Sequence, residues 1–118
     1  MKYMLLIYLN EAWTQLSLAE RQQIYQEQVQ VSLDLTANGQ YLGGNPLHEP
    51  STATSVRVRD GKRLLTDGPF AETREHLGGY MLIDVKDLDE AIAIAARGPV
   101  ARVGVVEVRP VREGPPTR

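Results

Sequence analysis

Two segments of the chain, residues 3–8 and 80–85, carry apolar side chains at odd and even positions alike. Successive side chains of a β-strand point to opposite faces of its sheet, so both segments present apolar surface on both faces. A sheet that contains them therefore needs a covering layer on each side. This requirement limits the possible folds more than any other feature of the sequence.

Two helices are expected to supply one of those layers. Ser17 and Glu20 have the spacing of a capping box, which predicts a helix from this point to about Ala37. Asn38 and Gly39 then favour its end, because both residues tolerate positive φ. The apolar positions of this helix form two adjacent stripes, together wider than one packing contact needs: Ile24, Val31 and Leu35, then Tyr25, Val29 and Leu33.

A second helix is predicted after Asp87, which has the position of an N-terminal cap. Its apolar residues recur at the helical spacing i, i+3, i+4 and i+7, and they are Leu88, Ala91, Ile92 and Ala95. The glycine and proline at positions 98 and 99 are expected to end it.

The middle of the chain predicts a β-hairpin. Residues 54–59 alternate between apolar and polar, Asp60 and Gly61 favour a two-residue type I′ turn, and residues 62–66 return. A short strand is expected to begin at Tyr41, and residues 103–109 form the last one.

This order of elements predicts an α+β fold: a ferredoxin-like, βαβ-type antiparallel sheet with two helices on one face. The other sheet face is then left open although it is apolar. A second copy of the chain is the simplest cover, so we expect a homodimer. We expect one domain over residues 1–111 and a flexible tail over residues 112–118.

Composition excludes several classes of function. The net charge of −2 and the pI of about 5.7 argue against nucleic-acid binding, and the absence of cysteine excludes disulfides and thiolate metal sites. The apolar start, residues 1–9, is too short to cross a membrane and lacks the features of a signal peptide. A cytoplasmic location without membrane contact is expected.

Residues 67–79 interrupt the pattern of predicted strands and helices, and this stretch has two interpretations. In the first, Asp67-Gly68-Pro69 makes a tight turn and Phe70 plugs the core. In the second, Glu72, Glu75 and His76 share one or two helical turns and form a site. Glu72 and His76 would then project together and exchange a proton or bind a metal, although no spacing supplies further ligands, and we assign no metal site.

Two further groups are candidates for a site. His48 is either a solvated loop histidine or a general base that reaches the same cleft. Arg57 shares a strand face with Arg59, and Glu107 shares another with Arg109. These charges either line a cleft suited to a small anionic ligand or form an ordinary solvated surface.

The residues quoted above also carry a family likeness. The chain resembles the YCII-related proteins, and more narrowly their DGPF subgroup, which has the motif Asp67-Gly68-Pro69-Phe70. The matching segments are residues 1–8, 52–57, 67–73, 77–80, 84–91 and 106–111. The resemblance implies a ferredoxin-like fold paired into a dimeric α+β barrel.

The function implied by the resemblance is less definite. DGPF proteins mostly have no established activity, and their genes often neighbour those of extracytoplasmic-function sigma factors. Some wider relatives are thought to be enzymes with a His–Asp pair, at positions that correspond here to about Gln28 and to Gly98 before Pro99. Neither catalytic residue is present.

The leading interpretation is therefore a dimeric module that binds a small ligand or a regulatory partner and needs no cofactor. The residues expected to shape its site are Asp67, Gly68, Pro69, Phe70, Glu72, Thr73 and Arg57. The first alternative is a small enzyme that uses acid–base chemistry at the dimer cleft, with His76, Glu72, Glu75 or His48 as candidates. The second alternative is an interaction protein linked to sigma-factor regulation.

Overall fold

A four-stranded sheet covered by helices organises the chain. A computed structural model describes residues 1–71 and 73–114. In chain order the elements are β1 Lys2–Leu9, α1 Glu11–Thr14, α2 Leu18–Ala37, β2 Tyr41–Pro46, β3 Thr54–Arg59, β4 Lys62–Asp67, β5 His76–Asp84, α3 Leu88–Arg97 and β6 Val105–Pro110. Short 3₁₀ turns occupy Pro50–Thr52 and Pro99–Arg102.

The main sheet has the strand order β2-β5-β1-β6, and each of these pairings is antiparallel. Leu5 of β1 lies opposite Met81 on one side and Val108 on the other. The α+β class is confirmed. Within the described residues the sheet is open, with β2 and β6 at its edges and no closed barrel.

Local capping signals place the helices where the sequence predicts them. The Ser17 side chain accepts a hydrogen bond from the backbone N–H of Glu20, and the Glu20 carboxylate accepts one from the N–H of Ser17, each at 3.1 Å. α2 ends at Ala37, followed by Gly39 with φ of 71°. Asp87 caps α3 with its side chain alone, which accepts a hydrogen bond from the backbone N–H of Glu90 at 2.9 Å. The one-turn helix α1, capped by Asn10, was not predicted.

The core lies between one face of the sheet and the two longer helices. Its buried members are Tyr3, Leu5, Val31, Leu35, Met81, Ile83, Val85, Ala91, Ile94 and Ala95. The first stripe of α2 is buried, whereas the second stripe remains exposed. The prediction for α3 was half wrong, because Ala91 and Ala95 are buried but Leu88 and Ile92 are exposed, and Ile94 fills the core in their place.

The opposite face of the sheet has apolar side chains and no helix over it. Met4 and Leu6 alternate with the buried residues of β1, and Tyr80 and Leu82 do the same on β5. All four are half-buried among their neighbours. The second covering layer that the sequence requires is thus not supplied by the described part of a single chain.

The predicted hairpin is confirmed, but it stands apart from the main sheet. β3 and β4 pair with each other as a separate two-stranded sheet. Asp60 and Gly61 both have positive φ, 52° and 74°, as a type I′ turn requires. All residues of the two strands are exposed except Ser55, which is half-buried.

The whole chain is more extended than a compact domain of its size. Its radius of gyration is 16.3 Å, against about 13.5 Å for a compact chain of this length. Its accessible surface is 8486 Å², about 2,100 Å² more than the scaling law gives for a folded monomer of this mass. A single copy therefore leaves unusually much surface in contact with water.

Candidate functional site

A cleft runs along α2 beside the β2–β5 side of the sheet. Its inner pocket has a volume of about 400 Å³ and an apolar lining. The exposed stripe of α2 forms one wall with Tyr25, Val29 and Leu33, and residues of the sheet face it, among them Ile7, Tyr41 and Met81. The second apolar stripe of α2 thus faces an open pocket instead of the core.

An outer pocket of about 490 Å³ continues the cleft towards the loop after β2. Leu9, Trp13, Tyr25 and Gly78 line both pockets, so the two form one cleft. The outer pocket carries the polar groups, and its lining includes Arg21, Gln22, His48, Glu49, Ser51 and His76. The cleft is therefore amphipathic, with an apolar inner part and a polar mouth.

Trp13 stands at the junction of the two pockets. α1 positions it, and the side chain is buried. Its ring meets the ring of Tyr25 edge to face, with centroids 5.7 Å apart and an interplanar angle of 85°. The Arg21 guanidinium carbon lies 5.6 Å from the centre of the Trp13 ring, within the range of a cation–π contact.

Arg21 uses one of its hydrogen-bond donors within the chain, while another has no acceptor among the described residues. One terminal nitrogen donates to the Thr14 carbonyl at 2.8 Å. The Nε atom is buried and has no hydrogen-bond partner within residues 1–71 and 73–114. A buried donor without an acceptor carries a desolvation cost that a ligand oxygen would remove.

The two histidines of the chain both line the outer pocket. His48 comes from the loop after β2, and His76 is the first residue of β5. The sharper interpretation of His48, that it reaches the same cleft as His76, agrees with this placement. However, within the described residues neither imidazole forms an ion pair or hydrogen bond with a carboxylate, as the acid–base hypothesis would require.

The Asp67-Gly68-Pro69-Phe70 segment lies at the base of the hairpin. Gly68 has φ of 90°, donates its N–H to the Ala53 carbonyl at 2.7 Å, and accepts a hydrogen bond from the Ser55 hydroxyl at 2.9 Å. The positive φ of Gly68 is as expected, but Asp67 belongs to β4 and residues 68–70 form bends and irregular chain instead of the predicted tight turn. The core-plug interpretation of Phe70 is wrong, because its side chain is 82% exposed. Asp67, Gly68, Pro69 and Phe70 line neither pocket of the cleft.

The helical turn predicted after this segment is also wrong. Residues 73–75 are irregular, and β5 begins at His76, so its strand geometry replaces the expected i, i+4 helical arrangement. The Thr73 hydroxyl donates to the Glu75 carbonyl within this loop. Glu72 lies outside the described residues, and its candidate role stays a prediction.

The two charged strand faces belong to different sheets. Arg57 and Arg59 lie on the hairpin, exposed, and they do not line the cleft. Arg109 and Glu107 pair with each other at 2.7 Å on β6. The single chain thus does not bring the two groups together.

The positions that correspond to the catalytic pair of some wider relatives are neighbours in the structure. A side chain added at Gly98 would begin 3.5 Å from the Oε1 atom of Gln28. Gln28 lines the cleft, but its neutral amide does not act as an acid or a base near neutral pH.

Two carboxylates of α2 have a lowered pKa. The capping bond from the Ser17 backbone N–H lowers the pKa of Glu20, and the hydrogen bond from Arg102, at 2.7 Å, lowers that of Glu27. Both shifts have structural causes, and neither residue lines the cleft.

In the described ranges, 1–71 and 73–114, no three His, Asp or Glu side chains lie close enough together to hold a metal ion. None of the helices described here has the length and apolar character needed to cross a bilayer.

Sequence reasoning missed three residues of the cleft: Trp13, Arg21 and Tyr25. One signal was present, because the apolar surface of α2 is wider than one packing contact needs. The positions of Trp13 and Arg21 depend on how α1 folds against α2, and no local motif indicates that.

Fold and site together define a small α+β protein with an amphipathic cleft beside its longest helix. Residues 1–114 match the model of the YCII-related domain, and the chain belongs to this family, which confirms the resemblance at that level. One curated relative, "Uncharacterized protein R00369" of Rhizobium meliloti (strain 1021), is 45% identical over 65 residues, 52% of this chain and 52% of the relative. The chain thus spans about half the length of the curated relative that it matches.

Proposed function

We propose that this protein is a dimeric module that binds a small amphipathic anion in the cleft along α2. The observation that carries the proposal is the continuity of the two pockets, which join an apolar chamber to a mouth with a guanidinium and two imidazoles. Pockets of a few hundred Å³ with an apolar lining and a few convergent polar groups are the usual form of small-molecule sites.

The inner pocket favours an apolar ligand body. Val29 and Leu33 are exposed in a single chain although they belong to the apolar face of α2, and Tyr25 and Trp13 offer aromatic surface beside them. Covering such surface with a ligand removes it from water at about 25 cal/mol per Å². An aromatic or branched hydrocarbon body fits this lining.

The outer pocket favours a single negative charge on the ligand's head. Arg21 lines this pocket, and a guanidinium binds a carboxylate through two parallel hydrogen bonds. Glu49 also lines the mouth and disfavours a polyanion. A monocarboxylate satisfies both conditions.

A second copy of the chain is the proposed cover for the open sheet face. The strand order β2-β5-β1-β6, read without the hairpin, supports a ferredoxin-like topology, and two such sheets stacked face to face would form the proposed dimeric α+β barrel. Met4, Leu6, Tyr80 and Leu82 would lie between them. The surface excess of about 2,100 Å² exceeds the roughly 800 Å² that each partner buries in a standard interface, which supports this proposal.

Trp13 makes the ligand proposal testable, because it is the only tryptophan of the chain and lines both pockets. The test titrates the protein with 4-phenylbutyrate, with the uncharged 4-phenylbutanol and with acetate, and follows tryptophan emission. We expect saturable changes with both aromatic compounds, binding of the anion about tenfold tighter than the alcohol, and no response to acetate. The Arg21→Gln variant should abolish the preference for the anion, and the control Arg59→Gln should keep it.

Two outcomes contradict different parts of the proposal. If neither aromatic compound changes the emission at millimolar concentration, the cleft is not a site for this class of ligand. Equal affinity for the acid and the alcohol would support the apolar inner site and contradict the preference for a negatively charged head group.

A small enzyme is the second candidate, favoured by the shared position of His48 and His76 at the mouth. Acid–base chemistry would require at least one of them to act on the bound molecule. Turnover of 4-phenylbutyrate esters that His48→Ala and His76→Ala both abolish, with ligand binding retained, would favour catalysis over binding.

Three finer points stay predictions. They are membership in the DGPF subgroup, the link to a sigma factor that it implies, and a cytoplasmic location. The ligand-binding roles of Asp67, Gly68, Pro69, Phe70, Glu72, Thr73 and Arg57 are likewise predictions. Phe70→Ala and Arg57→Gln in the same fluorescence titration test whether this loop and strand affect the affinity.

A further inference from the structure

The hairpin formed by β3 and β4, here called the arm, has two chemically different faces. Directly paired residues share a face, so Val56 and its partner Leu65 lie on one side, together with Val58 and its partner Arg63, and Asp67 follows at the base. The other side carries Arg57, Arg59 and Lys62 around Leu64. The first face, here called the apolar face, thus has an apolar cluster with one cation and one anion, and the second face has three cations.

Nothing in the described part of the chain covers the apolar face. Val56 and Val58 are exposed, and Leu65 is 63% exposed. A two-stranded hairpin is at best marginally stable by itself in water and needs a third strand or a packed face for support. The main sheet does not provide this support, because the arm forms its own two-stranded sheet.

We propose that the arm packs its Val56–Val58–Leu65 face against a second copy of this chain. The proposal rests on the dimer of the proposed function and adds a contact that the stacked sheets do not include. In a twofold dimer each arm would cross to the other copy, so the contact is formed twice.

The surface area of the chain supports a second copy as the occupant. The excess of about 2,100 Å² over a compact monomer is more than twice what one partner buries in a standard interface. Burial of the apolar face would cover one cation, Arg63, and one anion, Asp67, whereas burial of the opposite face would cover three cations. This difference decides which face is buried.

Two neighbouring leucines give a matched test. Leu64 and Leu65 are both exposed in a single chain, 47% and 63%, but they lie on opposite faces of the arm. Leu65→Lys should raise the dimer dissociation constant, measured by analytical ultracentrifugation, by about tenfold or more, because it places a charge in the contact. Leu64→Lys should change it by less than about twofold. Circular dichroism and Trp13 emission check that both variants fold.

Spin labels give a second readout, which reports the mobility of each face of the arm directly. The chain has no cysteine, so Leu65→Cys and Leu64→Cys each carry a single label. We expect the label at position 65 to be immobile in the dimer and mobile on dilution to the monomer, and the label at position 64 to be mobile throughout.

The possible outcomes distinguish a failure of the proposed arm contact from a failure of the proposed dimer. A chain that stays monomeric at every concentration overturns both proposals. A stable dimer with a mobile label at position 65 overturns the arm contact and leaves the dimer intact. If that label becomes immobile only when anionic vesicles or DNA are added, the occupant is a polyanion and the second copy is excluded.

Discussion

Truncation of Leu35 tests whether α2 is anchored by one of its apolar stripes and not by the other. Leu35 is fully buried in the core between α2 and the sheet, while Leu33, two residues earlier, is 58% exposed. Leu35→Ala and Leu33→Ala remove the same three carbon atoms from the same helix. The difference between the two variants therefore measures burial alone.

The expected cost of Leu35→Ala follows from its position. The loss of three buried methyl or methylene groups amounts to about 2.4 kcal/mol of transfer free energy. The cavity left behind adds to this, so a total of about 3 to 4 kcal/mol in the free energy of unfolding is expected. The partly exposed Leu33 should contribute less than about 1 kcal/mol.

Urea unfolding followed by Trp13 emission is a suitable assay, since this buried residue is the only tryptophan. With an m value of about 1.5 kcal/mol/M, Leu35→Ala should lower the unfolding midpoint by about 2 M or more. Leu33→Ala should lower it by less than about 0.7 M. Each variant is measured at two protein concentrations, because a dimer makes the midpoint depend on concentration.

A comparable loss for both variants would refute the assignment of the two stripes. It would mean that Leu33 is as deeply covered in solution as Leu35. If the loss at Leu33 appeared only at high protein concentration, the second copy would be the cover instead of a ligand.

Four further predictions concern local interactions. Ser17→Ala should cost about 1 kcal/mol of stability in the same urea assay, because it removes half of the capping box. Folding lowers the pKa of Glu20 from 4.5, so the stability that its carboxylate contributes is present above pH 4.5 and is lost on acidification. Glu20→Gln should therefore lower the free energy of unfolding at pH 7, and its difference from the parent protein should shrink below pH 4.5. Arg102→Gln should raise the pKa of Glu27 towards its ordinary value in an NMR titration, since the hydrogen bond from Arg102 is the main cause of the lowering. Gly61→Ala should reduce amide hydrogen-exchange protection in the arm and leave the helices unchanged, because φ of 74° is strained for alanine and the arm is a separate sheet.

The parts of the fold that the sequence predicts well are those governed by local chemistry. Ser17 and Asp87 cap their helices because a side-chain oxygen needs only to reach an N–H two or three residues ahead. Asp60 and Gly61 make the hairpin turn because positive φ at both positions suits few other residue pairs. Such local signals depend little on contacts with residues distant in sequence, so a single sequence is enough to predict these features.

The candidate site was predicted less well, and the reason is physical. Phe70 is aromatic, which favours burial, yet its side chain is 82% exposed beside an arm that forms a separate sheet. His76 follows acidic residues at helical spacing, yet its pairing with Leu9 places it at the start of a strand. For His76 a contact distant in sequence thus overrides a local preference.

The amino-acid sequence alone determined the strand and helix order, the helix caps, the hairpin turn and the need for a cover on both sheet faces. Only the tertiary structure decided that the second stripe of α2 lines a cleft, and that Trp13 and Arg21 meet His48 and His76 there. It also decided that the arm stands free of the main sheet. Periodicity shows that a side chain must be covered, but the covering atoms come from chain segments far away in sequence, or from another molecule.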